Sequence, residues 1–231
     1  MEYFEEAGLN YAKERKGKIL IYWDVDKTVG GCGSEGLVLD VEVMKEIARI
    51  IKRHPECLSS LQSTLRCVKN TNEQLHNEFK EYGVRLAEDA YAVRHADHDI
   101  DKKLDKRDDI LYTAKKRVEM YREKNKTSNV EYYISGLIIV DDKKVSPIEG
   151  VSTHILPVGG LLDPEDLEDA IEAINHIDND LSDTILNAEF QGAIEKVYDI
   201  SEDLFGEKNH YENSEVLTRN VRGSMQEKAI I

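Results

Sequence analysis

KILIYWDVDKTVGGCGSEG, residues 18 to 36, is an apolar run that ends in two acids one residue apart and then breaks on glycines. A strand that delivers Asp24 and Asp26 to its own end places both carboxylates on one face, because side chains along a strand alternate with a period of two. Two carboxylates held that close repel each other unless a cation or a shared proton relieves them. Hard oxygen donors suit Mg²⁺ or Mn²⁺. The alternative is a strand that simply closes in a turn, where Asp, Lys, Thr and Gly are ordinary residues.

Working outward, Gly17 breaks a short helix predicted over 2 to 16, and Ile19 to Trp23 reads as a buried strand. After the glycine-rich loop Asp40 can cap a helix in which Val41, Met44, Ile47, Ala48 and Ile51 recur at helical spacing, ending near His54-Pro55. Strand, acidic turn and helix in that order make the first half of an α/β or α+β unit. From Glu56 to about Asn125 the pattern reads as largely helical: Leu58, Leu61 and Leu65 share a face, Leu75 and Phe79 continue it, Gly83 interrupts it, and Ile110 to Tyr121 is a further helix. The charged stretch 94 to 109 holds His95 and His98, either a ligand pair at helical spacing or part of a solvated helix start. VEYYISGLIIVDDKK at 130 to 144 and VSTHILPVGG at 151 to 160 read as a strand pair. Asp163-Pro164 starts a helix striped by Leu167, Ala170, Ile171, Ile174 and Ile177. Another helix is predicted over Leu181 to Val197, and the tail carries a short strand signal around Val216.

The chain has 231 residues, enough to bury a substantial core, and its 40% hydrophobic and 33% charged composition fits a soluble globular domain. No apolar run approaches the ~20 residues of a membrane span, and the N-terminal stretch lacks the apolar segment of a signal peptide. The expected setting is the cytoplasm or another reducing compartment, with no membrane partner. Cys32, Cys57 and Cys67 are odd in number and lack paired metal-ligand spacing, so they read as free thiols. The formal charge of −15 opposes broad, sequence-independent nucleic-acid binding, which runs on phosphate neutralisation. Local basic grooves remain open at 13 to 18 and 115 to 126.

Two families share features with this pattern. Asp24-Val25-Asp26-Lys27-Thr28 after an apolar strand resembles the first motif of the haloacid dehalogenase-like phosphatases. That resemblance implies Asp24 as nucleophile, Asp26 as general acid/base and Mg²⁺ bridging phosphate and carboxylate. Ser135, at the end of VEYYIS, resembles that family's second motif. The lysine and the acidic pair it also needs are not found after Ser135, where Lys143, Lys144 and the helix-like DPEDLED stand.

The chain also resembles the archaeo-eukaryotic primase superfamily, in three pieces spanning 19 to 228: Asp24 and Asp26 on a strand; Ser152-Thr153-His154 on a later one; and Val216-Leu217-Thr218-Arg219-Asn220 followed by Arg222 and Lys228. This resemblance implies an α+β fold, with a primase-polymerase-like core of antiparallel strands flanked by helices. Residues 1 to 231 would form one catalytic domain, with 56 to 125 as a helical insertion. It implies nucleotidyl transfer from nucleoside triphosphates on a DNA template or primer, with helicase or other replication proteins as partners. Asp24 and Asp26 would hold Mg²⁺ or Mn²⁺, and together with His154 would be catalytic. Ser152, His154, Arg219, Arg222 and Lys228 would bind the nucleotide. Asn213 stands where that family has its third metal-binding acid, the 128 positions from Asp24 to Ser152 are a long separation, and a zinc-binding segment is absent. A third reading is a degenerate relative acting as a binding subunit.

Overall fold

A computed structural model describes residues 13 to 33, 36 to 62, 69 to 87, 91 to 93, 106 to 157, 159 to 177, 179 to 191 and 196 to 198. The chain begins with β1 (Glu14–Trp23), then β2 (Gly30–Gly33), β3 (Gly36–Leu39), α1 (Val41–Arg53), β4 (Cys57–Leu61), α2 (Lys69–Glu81) and β5 (Tyr91–Val93). It continues with α3 (Lys106–Thr127), β6 (Val130–Val140), β7 (Ser152–Ile155), α4 (Pro164–Asn175), α5 (Ser182–Asn187) and β8 (Lys196–Tyr198). The main sheet has the order β4-β1-β6-β7, and all three of its pairings are parallel. The antiparallel core implied by the primase resemblance is therefore not what these strands form. Among the described residues, antiparallel pairing is confined to β2 with β3 and β5 with β8.

Parallel pairing has a plain cause. Each strand returns to the sheet through a long crossover, α1 between β1 and β4 and α3 before β6, so successive strands run the same way. Both faces are then covered, which explains why Ile19 to Trp23 and Leu137 to Val140 are buried without alternation. Ile19, Ile21, Trp23, Ile138 and Val140 pack with α1 and α4 residues such as Met44, Ile47, Leu167 and Ile171. Leu20, Tyr22, Leu137 and Ile139 pack on the other side with Ile110, Ala114 and Val118 of α3.

The caps at Asp40 and Asp163 are as expected, the Asp40 carboxylate accepting the amides of Glu42 and Val43 and that of Asp163 the amide of Glu165. Several other expectations change. Glu14 to Lys16, predicted as the end of a helix, opens β1. Cys57 to Leu61, predicted as helix, is the edge strand β4, paired with Ile19 to Trp23. An apolar run of five cannot distinguish a buried strand from a helix by periodicity. The segment expected as an insertion thus supplies a strand of the central sheet, and α3, which packs on β6. The helix predicted from Leu181 is limited to α5, six residues long.

Candidate functional site

In parallel sheets of this kind, ligands are bound beyond the carboxyl ends of the strands. Asp24 follows the last residue of β1 there, is 6% exposed, and donates its amide to the Val140 carbonyl at 2.8 Å. That bond ties it to the end of β6, where Asp141 and Asp142 follow. One carboxylate oxygen from each of Asp24, Asp141 and Asp142 lies within 4.8 Å of the others. Asp141 is fully buried. Its Oδ1 accepts the Lys143 amide at 2.8 Å, and its own amide donates to the Ile155 carbonyl of β7 at 3.3 Å.

A cation stands among these acids. Lys106, the first residue of α3, places Nζ 3.2 Å from Asp24 Oδ1 and 2.6 Å from Asp141 Oδ2. Burial pushes the Asp24 carboxyl above its ordinary value, with the charge of Lys106 pulling it down and that of Asp141 adding to the rise. For Lys106, burial works against the charged form, but Asp24 and Asp141 together outweigh it and hold the ammonium above its usual range. Gln62, just past β4, fixes the lysine's helix in place. Its backbone amide donates to the Trp23 carbonyl at 2.7 Å, and its side-chain Nε2 donates to Asp109 Oδ2 at 3.0 Å and to the Lys106 carbonyl at 3.3 Å.

The loop after Asp24 is closely tied. The Val25 carbonyl accepts the amides of Thr28, Val29 and Gly30 at 3.3, 3.2 and 3.1 Å, and Lys27 donates its amide to the Gly30 carbonyl at 2.9 Å. The Thr28 carbonyl accepts the Leu162 amide at 2.7 Å, and Val29 accepts that of Asp40 at 2.9 Å. Asp26, half-buried, bridges to Gly30. Because β1 stops at Trp23, Asp24 and Asp26 leave the strand before its alternation can pair them, and the three-acid cluster takes its members from two strand ends, without Asp26.

Ser135 does not sit at this site. It is the extra residue of a bulge where the β1–β6 register shifts, and its hydroxyl donates to the Lys18 carbonyl at 3.3 Å. The strand runs on from there to Val140. Six residues of ~3.3 Å rise put Ser135 about 20 Å back from Asp141.

Ser152 and His154 lie on β7, next to β6. The Ser152 hydroxyl is engaged with the Ile148 backbone. His154 is paired with Ile139, and burial lowers its pKa against the opposing pull of Asp141. Its Nε2 is buried without a partner among the described residues. It therefore flanks the acidic turn. Arg219, Arg222, Lys228, Asn213, His95, His98, Cys67 and the Val216 strand signal lie outside the described residues. Cys57 is a buried free thiol whose pKa burial pushes up to about 12.

The residues missed from sequence were Lys106, Asp141, Asp142 and Gln62. One signal was present: LIIVDD at 137 to 142 repeats the form of LIYWDVD, an apolar run ending in two acids. No described helix is long and apolar enough to cross a membrane. No protein-family model matches the chain, and neither does any curated protein or solved structure.

Proposed function

We propose that this protein is a Mg²⁺-dependent phosphohydrolase of the haloacid dehalogenase-like type, with Asp24 as nucleophile. The observation that carries the reading is the set Asp24, Lys106, Asp141 and Asp142. A nucleophilic acid at the end of one parallel strand, a lysine bound to it, and an acidic pair at the end of the neighbouring strand supply the lysine and the acids that Asp24-x-Asp26-x-Thr28 lacks by itself. The donor set fits a hard divalent ion. It is all oxygen, and three carboxylates against one ammonium leave a negative excess. Asp24, Asp141 and Asp142 would hold Mg²⁺ or Mn²⁺, which when bound supplies charge neutralisation at the phosphoryl group.

The chain's own residues then divide the work. An Asp24 oxygen attacks phosphorus, the bond from phosphorus to the leaving oxygen breaks, and Asp26 gives that oxygen its proton. A water, losing a proton to Asp26, next attacks the aspartyl phosphate, releasing phosphate and restoring Asp24. Lys106 keeps the nucleophile charged. Burial drives Asp24 toward its protonated form, which is no nucleophile, and the ammonium opposes this.

Nucleotidyl transfer on DNA, with a primase-like core, draws less support. Asp24 and Asp26 serve that reading too, but Ser152 spends its hydroxyl on Ile148. Its cationic residues Arg219, Arg222 and Lys228 are outside the described part, and a parallel sheet is not the core it implies.

The test is hydrolysis of p-nitrophenyl phosphate with Mg²⁺. Asp24→Asn should lower kcat by at least about a thousandfold, and beryllium fluoride should be trapped on Asp24 of the unaltered protein. His154→Ala should retain hydrolysis. Full activity in Asp24→Asn refutes the assignment, and loss of activity on His154→Ala with template-dependent nucleotide incorporation by the wild type restores the polymerase reading.

A further inference from the structure

Lys27 is the only non-glycine residue with positive φ among those described, at 57°. The left-handed region costs an ordinary residue roughly 1–2 kcal/mol that glycine avoids. Strain of this kind persists where the surroundings over-determine the backbone, and here the bonds at Val25, Thr28, Val29 and Gly30 do so. The turn thus presents an exposed lysine from a fixed backbone one residue past Asp26.

A second fixed turn lies beside it. Lys143 and Lys144 follow Asp141 and Asp142 at the end of β6, the neighbour of β1, and both are exposed. The Lys143 amide is held by Asp141 Oδ1. Some exposed lysines find acids, Lys45, Lys116 and Lys126 each pairing with a glutamate three residues away on their helix, while Lys52 and Lys80, on α1 and α2, do not. The chain has 46 acids for 31 lysines and arginines, so such partners are plentiful. Yet Lys27, Lys143 and Lys144 have no ion pair among the described residues.

We infer that Lys27, Lys143 and Lys144 form a cationic rim that binds a second anionic group, phosphate or carboxylate, on a small phosphomonoester substrate. The inference rests on the phosphohydrolase reading and deepens it. On so acidic a chain, a substrate with two anionic groups is repelled over most of the surface. Local positive charge at the mouth of the site offsets that repulsion and orients the leaving group. Three lysines are too few to make a nucleic-acid track on this background, so the second group belongs to a small molecule.

Three probes separate the cases: glycerol phosphate, with one phosphate; phosphoglycerate, which adds a carboxylate; and bisphosphoglycerate, which adds a phosphate. The wild type should favour a doubly anionic probe over glycerol phosphate by about tenfold or more in kcat/KM, chiefly through KM, with the preference shrinking at high salt. The triple variant Lys27→Ala/Lys143→Ala/Lys144→Ala should bring that ratio close to one, and whichever second group shows the larger change identifies its chemistry. A ratio unchanged by the substitutions overturns the proposal and leaves the phosphohydrolase intact. If the wild type hydrolyses none of the probes, calorimetry with bisphosphoglycerate decides. Binding that the triple variant loses upholds the rim, no binding by the wild type refutes it, and p-nitrophenyl phosphate hydrolysis decides the hydrolase separately.

Discussion

Replacing Lys106 with methionine isolates the electrostatic claim at the centre of the site. The side chain keeps its length but no longer places a charge 3.2 Å from Asp24 and 2.6 Å from Asp141. The two acids, with donor atoms within 4.8 Å, then face each other unrelieved, a repulsion of roughly 3–4 kcal/mol at an effective dielectric near 20. The pair escapes by holding one proton. Starting from the ordinary aspartate value of 3.8, protonation near pH 7 costs ~4 kcal/mol at ~1.36 kcal/mol per unit, and this caps the penalty. That cap agrees with the ~3–5 kcal/mol typical of removing one partner of a buried pair.

The sign with pH follows. In the variant the folded-state carboxyl pKa lies well above 3.8, so the native state binds more protons than the unfolded one and stability falls as pH rises through the window above 3.8. The deficit relative to wild type should therefore shrink from about 4 kcal/mol near pH 7 to about 1.6 kcal/mol near pH 5. In the wild type Asp24, already raised, gives a slope of the same sign but smaller, and the raised Lys106 contributes stability lost only at strongly alkaline pH. Urea unfolding of both proteins at the two pH values, followed through the single tryptophan, Trp23, one residue before Asp24, measures this directly. A deficit below about 1 kcal/mol near pH 7, or one that does not change with pH, would show that Lys106 does not relieve the repulsion between Asp24 and Asp141. Millimolar Mg²⁺ should restore part of the variant's stability by taking the ammonium's place among the carboxylates.

Other expectations concern the frame around the site. Gln62→Met removes both side-chain bonds to the start of α3 together with a buried, unpartnered Oε1; stability should change by less than about 1.5 kcal/mol. The acid limb of the pH–rate profile should move upward as Lys106 loosens from Asp24, and an unmoved profile would show that the clamp does not act on Lys106. Gly30→Ala would set a Cβ 2.4 Å from the Val38 carbonyl oxygen. It should cost about 1–3 kcal/mol by forcing apart the β2–β3 hairpin, measurable by denaturant unfolding.

The reading of residues 18 to 36 survived in part because its features are local. An apolar run, an acidic stop and glycines determine where a strand ends and that carboxylates collect there. The caps at Asp40 and Asp163 were legible for the same reason, since each depends on residues two or three positions away. Leu58 and Leu61 were not, because a five-residue buried strand carries no period of its own; pairing with Ile19 to Trp23 gives it its identity. Ser135 misled because VEYYIS looks like a finished strand, while Gly136 to Val140 continue it under cover of α4 and Ile174.

Local sequence alone fixes that a buried strand stops just before Asp24 and that a capped helix follows, whereas the glycine-rich stretch expected as a loop forms the β2–β3 hairpin. Tertiary structure decided which groups Asp24 meets. Lys106 is 82 residues away and Asp141 is 117, and no spacing rule links them to Asp24. They converge because parallel pairing aligns the carboxyl ends of β1 and β6 while α3, packed across the same face, delivers its first residue between them.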